Sequence, residues 1–217
     1  MTPEEILQEF ERQVANLLSK GYPKKVGKTA EEFLNIVKPL EDEVKQLAIH
    51  RVNLEQGYLP FILVVKSELL STETAMSLVE KDGKQGITKL SPHQSKDFHT
   101  IDGETIPESP VYLLVNIDRG KENINLPPIE AMKLIRKGKR YPLTIDEGVA
   151  IVTQYPEFLI KNNCFSLLAS RHPGDKRVPA IWINAKKHPN LGWCWDGNPH
   201  TWLGSASCGK RIGIPDY

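Results

Sequence analysis

Apolar residues recur at helical spacing from the start of the chain, with Ile6, Phe10, Val14 and Leu17 on one side and Leu7 and Leu18 beside them. Thr2-Pro-Glu-Glu5 opens this run with a hydroxyl at the N-cap, proline in the first turn and glutamate three residues on, and Gly21 closes it. The pattern predicts one amphipathic helix of about five turns. Thr29-Ala-Glu-Glu32 is a second capping box, followed by Phe33, Leu34, Ile36 and Val37. Pro39 divides that helix, and the pattern resumes through Leu40, Val44, Leu47 and Ile49. Residues 1–56 thus read as a helical segment and 57–217 as an α+β domain.

Pro60-Phe-Ile-Leu-Val-Val65 and Val111-Tyr-Leu-Leu-Val-Asn-Ile117 are continuous apolar runs, which suit strands covered on both faces. Between them a short helix is expected from Ser71 past Met76. The stretch 81–109, rich in Gly, Ser, Pro, Asp and Lys, reads as loop with weak extended pieces. Leu126-Pro-Pro-Ile-Glu130 starts a helix stopped by Gly138, and Thr144-Ile-Asp-Glu147 is a third capping box.

From Cys164 the period shortens to that of strands. Residues 164–170 and 178–184 flank the turn-rich His172-Pro-Gly-Asp-Lys176 loop. Two further strands, 191–195 and 200–203, flank Asp196-Gly-Asn-Pro199. Sequential connections of this kind predict an antiparallel meander, with Pro179 starting its strand or lying at an edge. The architecture expected is α+β: N-terminal helices packed on a mixed β-sheet that ends in an antiparallel C-terminal meander.

Composition narrows the function classes. Lys plus Arg number 28 against 27 Asp plus Glu, so nothing global favours nucleic acid or an anionic membrane. The longest apolar run is too short to span a bilayer, and Met-Thr-Pro-Glu-Glu lacks the features of a secretory signal. Three cysteines among 217 residues are few for a disulfide scaffold. A soluble cytoplasmic protein with reduced thiols is expected. Its N-terminal helices carry no chemical motif and are assigned to packing or self-association as a homo-oligomer. Nucleotide-binding, hydrolase and calcium-loop patterns are missing from the sequence.

Candidate chemistry gathers near the end of the chain, which holds every cysteine and tryptophan. Strand alternation puts Trp193 and Trp195 on one face, Cys194 on the other, and His200 with Trp202 on a shared face. Three readings remain open. The surface between Trp193 and Trp202, with Asp196, Asn198 and His200 in its loop and Arg171 and Arg177 at its lip, binds a small molecule or partner. Alternatively Cys164, Cys194, His200 and Cys208 hold zinc, although they lack the paired C-x₂-C spacing, or Cys194 or Cys208 works with His200 as a thiolate–imidazole pair. In the third, the indoles simply fill a core in a structural interaction protein.

The segments Pro142-Leu-Thr-Ile-Asp-Glu-Gly-Val-Ala150, Asn163-Cys-Phe-Ser166, Arg177-Val-Pro-Ala-Ile-Trp-Ile183, Leu191-Gly-Trp-Cys-Trp195 and Gly197-Asn-Pro-His-Thr-Trp-Leu-Gly204 recur together in that order. In these the chain resembles a family of uncharacterised bacterial proteins, a domain of unknown function. The resemblance spans roughly residues 60–210. It implies no established activity and carries over no catalytic residue.

Overall fold

The structure, a computed structural model, describes residues 1–215. Helix α1 (Pro3–Ser19) begins at Thr2 and α3 (Ala30–Val37) at Thr29, each with both halves of its capping box formed. A short helix, α2 (Tyr22–Lys25), fills the lysine-rich stretch between them. Pro39 then separates α3 from α4 (Leu40–Lys45). The buried side chains Ile6, Phe10 and Leu17 of α1 join Phe33, Val37, Leu40 and Val44 in a core shared with the strands.

The first sheet is built on β1 (Tyr58–Val65) and β3 (Val111–Asp118), paired antiparallel from Tyr58↔Asp118 to Val65↔Val111. As expected of continuous apolar runs, both are buried along nearly their whole length. The other edge of β3 is completed from far along the chain. There β9 (Ser207–Cys208) pairs at Asp118, and β10 (Lys210–Ile212) pairs from Val115 to Leu113. The two-residue strand β4 (Tyr141–Pro142) adds beyond β9.

At the free edge of β1, α1 supplies a substitute partner. The buried Gln13 amide donates to the Phe61 carbonyl at 2.9 Å and accepts from the Leu63 N–H at 2.7 Å. One side chain thus satisfies two edge groups that would otherwise stay open.

The second sheet runs β8 (Leu203–Ser205), β5 (Cys164–Ser166), β6 (Arg177–Ile183), β7 (Pro189–Trp195) and β2 (Ile87–Thr88). β5, β6 and β7 are antiparallel, whereas β8 joins β5 and β2 joins β7 in parallel. The strand expected at 200–203 therefore starts later and lies elsewhere. After β7 the chain crosses the sheet and pairs at its opposite edge. Pro179 is also internal to a central strand. It is accommodated because the ladder to β5 covers only Ala180 and Ile181, and beyond it Pro179 contributes its carbonyl alone, accepting from the Leu167 N–H at 2.8 Å.

Helix α5 (Thr72–Ser77), α6 (Pro128–Lys137) and α7 (Ile145–Gln154) surround the sheets. Gly148 lets α7 come close to Leu167, since a β-carbon there would strike that side chain. At its far end α7 is fastened to α1: Asn16 donates to Gln154 at 2.9 Å, and Tyr155 donates to Glu9 at 2.6 Å. No helix among the described residues is long and apolar enough to cross a membrane.

Candidate functional site

Alternation along β6 and β7 divides the tryptophans between two faces. Trp193 and Trp195 stand opposite Pro179 and Arg177, whereas Trp182 lies opposite Asn190. Trp182 covers Gly192, where a side chain would run into its ring, and meets Trp202 with ring centres 6.1 Å apart. His200 lies 5.2 Å from Trp202. The segment from Trp193 to Trp202 thus supplies two separate aromatic groups.

The first group is a ladder. The Arg177 guanidinium sits 3.3 Å from the centre of the Trp193 ring and 5.8 Å from that of Trp195. Asp175 holds it in place, with contacts of 3.0 Å to Nε and 2.7 Å to Nη2. That guanidinium draws the Asp175 carboxyl down to about 2. Trp193 packs edge-on against His93 at 5.2 Å and Phe98 at 5.7 Å. His93 in turn stacks on His172, centre to centre 3.7 Å. Trp195 ends the ladder with 53% of its surface exposed.

The loop residues mainly bind backbone. Asp196 donates its N–H to Lys176 and accepts from the Ile129 N–H at the start of α6, and the His200 carbonyl accepts from Asn125. Asn198 is exposed and donates its N–H to the Trp195 carbonyl. Arg171 turns its guanidinium onto the Leu168 and Ser170 carbonyls at 3.2 and 3.3 Å. It is therefore engaged within its own loop.

The three cysteines are free and fall on β5, β7 and β9, the last in the other sheet. Among the described residues, no group of three or more His, Cys, Asp or Glu side chains is arranged to hold a metal ion. Burial raises all three thiols, Cys194 to about 11 and Cys208 higher still. Cys164 donates to the Ile160 carbonyl at 3.3 Å. Such thiols behave as small apolar groups rather than as nucleophiles.

Beside the ladder lies a cleft of about 600 Å³, and Phe98 belongs to both. Its walls are residues 66–73, residues 94–100 and the start of α7 with Ser170. Two carboxylates hold these walls together. Asp146, the second residue of α7, accepts from the Ser67 N–H at 2.9 Å and the Thr72 hydroxyl at 3.2 Å. Glu73 accepts from the Ser95 N–H at 2.9 Å and its hydroxyl at 2.7 Å. Asp146 keeps partial exposure to the cleft, yet its carboxyl is desolvated enough to titrate above the ordinary value, an effect its two hydrogen bonds only partly offset. The ladder ending at Phe98 fixes one wall from behind.

Sequence reasoning passed over this cleft. Its residues come from three distant segments, two of them loops of ordinary polar composition. One signal was available: the box Thr144-Ile-Asp-Glu147 needs a carboxylate only at Glu147, and Asp146 is a second.

A family model described as a family of unknown function (DUF5701) matches residues 16–214. The chain belongs to this family. No curated protein and no solved structure matches the chain.

Proposed function

We propose that this family member is a binding module, taking a small polar molecule in the cleft between residues 66–73, residues 94–100 and the start of α7. The observation that carries this reading is the cleft itself. Its volume of about 600 Å³ falls in the range of small-molecule sites. Hydroxyls of Ser67, Thr72, Ser95, Thr100 and Ser170 line it beside the carboxylate of Asp146, with Phe98 as the apolar wall. The surface from Trp193 onwards contributes from behind, since Trp193 supports Phe98. No comparable geometry supports the cysteine–histidine reading.

Isothermal titration calorimetry with a panel of nucleosides, monosaccharides, amino acids, amines and carboxylic acids tests this. At least one class should bind, and Thr100→Trp, which fills the cleft from an exposed position, should abolish the heat without unfolding the protein. Binding by no member of the panel, or binding that Thr100→Trp leaves intact, would remove the cleft from consideration.

Self-association has a separate surface. An apolar groove of about 400 Å³, lined by Phe10, Val14, Ala15, Leu18, Leu34 and Val37, opens between α1 and α3. Sedimentation of the protein and of Leu34→Glu tests this role. A monomer at every concentration would exclude it.

A further inference from the structure

Several carboxylates that are largely withdrawn from water have an arginine for counter-charge. Glu9 has Arg12, Asp175 has Arg177, and Glu147 and Glu104 share Arg211. Asp146 differs. Among the described residues, no lysine, arginine or histidine forms an ion pair with it. Its two hydrogen bonds come from neutral donors, the Ser67 amide and the Thr72 hydroxyl. The lysine of the same wall, Lys66, is committed to the Pro107 and Glu108 carbonyls and to Glu68.

A carboxylate taken out of water is costly unless a positive group accompanies it. Each Asp146 oxygen receives one hydrogen bond and retains a further acceptor site. The cleft it lines also contains the Phe98 ring, whose π face attracts cations, and hydroxyls able to accept from an N–H donor. Among the described residues Glu73 also lacks an ion-pair partner, and with Asp146 and Glu68 against Lys66 and Lys96 the lining carries one more carboxylate than ammonium.

Resting on the reading of the cleft as a binding site, we infer that its ligand is a small molecule bearing a cationic nitrogen, an ammonium or amidinium group, and that Asp146 is its counter-ion. Arg119 is the informative contrast. Among the described residues this fully buried cation has no carboxylate partner, but the Phe158 and Glu55 carbonyls bind it at 2.9 and 3.1 Å. Its two terminal nitrogens are met by backbone carbonyls, whereas its Nε has no partner among the described residues. Asp146 faces open volume instead.

The test compares matched probes by calorimetry: tyramine against 2-(4-hydroxyphenyl)ethanol, in which a hydroxyl replaces the ammonium, and benzamidine against benzamide. Each cation should bind about tenfold or more tightly than its neutral counterpart, the size of a charge-assisted hydrogen bond. Asp146→Asn, which keeps the shape and an acceptor for Ser67, should erase the difference. Should that variant not fold, Thr100→Lys places an internal ammonium at the cleft and should weaken tyramine binding by about tenfold, since it competes for the same carboxylate. Equal affinity for cation and neutral counterpart, or undiminished tyramine binding in Asp146→Asn or Thr100→Lys, overturns the inference. Should neutral or anionic members of the wider panel bind in the cleft while the cations do not, the cation inference falls and the binding site stands. Absence of binding by the whole panel removes both.

Discussion

Arg211 and Glu147 meet through two parallel contacts, Nε to Oε1 and Nη2 to Oε2, the second at 3.0 Å. Glu147 is wholly buried, and it also receives the Tyr112 hydroxyl and the Thr144 N–H. Arg211 reaches Glu104 as well, at 3.2 Å, and the Pro142 carbonyl at 2.7 Å. One guanidinium therefore joins β10, the start of α7 and the loop before β3. Arg211→Ala leaves Glu147 buried without a cation, and Glu104 with Arg136 alone. The expected loss is about 3–5 kcal/mol, measured by urea unfolding.

Thr144 caps the same helix, accepting from the Glu147 N–H at 3.3 Å. Thr144→Ala should cost about 1 kcal/mol, and Thr144→Ser much less. Equal destabilisation by both substitutions would show that the methyl group, not the hydroxyl, is what matters.

The ladder makes a pH prediction whose direction follows from Asp175. Arg177 lowers the Asp175 carboxyl from its unfolded value near 3.9 to about 2. The pair therefore stabilises the fold fully above about pH 4, and that contribution disappears as pH falls towards 2. Both side chains keep some contact with water, which screens the pair, so the change in melting temperature should be small. Carbon-detected NMR of Asp175 is the decisive measurement. In Arg177→Ala its titration should move back to the ordinary carboxylate range, and the tryptophan emission should shift because Trp193 loses its covering cation.

Ionisation of buried tyrosines sets the alkaline limit. Burial raises Tyr22 to about 12 and raises Tyr112 further. Their neutral forms are favoured in the fold, so stability is complete below about pH 10 and declines as pH rises towards 12. Absorbance of ionised tyrosine near 295 nm should show a delayed fraction that appears together with loss of circular dichroism. A single early titration of all six tyrosines would contradict this.

Thiol chemistry offers a direct check on the cysteines. At pH 8 the native protein should react slowly with Ellman's reagent, Cys194 first, because burial holds all three thiols protonated. Full reaction should need denaturant. Rapid modification of one equivalent would revive a thiolate role for that residue.

The capping boxes at Thr2, Thr29 and Thr144 and the apolar runs of β1 and β3 were legible in the sequence because each is local. A hydroxyl three residues before a glutamate, or six apolar residues in a row, carries its own instruction. The position of β8 could not be read this way. Pairing beside β7 or across at β5 buries similar side chains, and only the fold brings Leu203–Ser205 to β5, with the Ile129 N–H of α6 donating to the Asp196 carbonyl on the way. The tryptophans drew attention by their density, yet strand alternation separates Trp182 from Trp193, and Trp202 joins Trp182 from a turn. Asp146 was visible only as part of a capping box, and its isolation from positive charge is a tertiary property.

The partners of β3 set an order on synthesis. β1 precedes it by about fifty residues, whereas Ser207 and Lys210, its partners on the other edge, follow it by about ninety. A nascent chain can join β1 to β3 early, but that hairpin keeps one apolar edge open until residue 212 has left the ribosome. Throughout that interval the emerging chain offers an unpaired strand to its neighbours, the condition under which translating polypeptides rely on chaperones. Slow decoding between β3 and β9 would lengthen the exposure without altering a single contact of the finished fold.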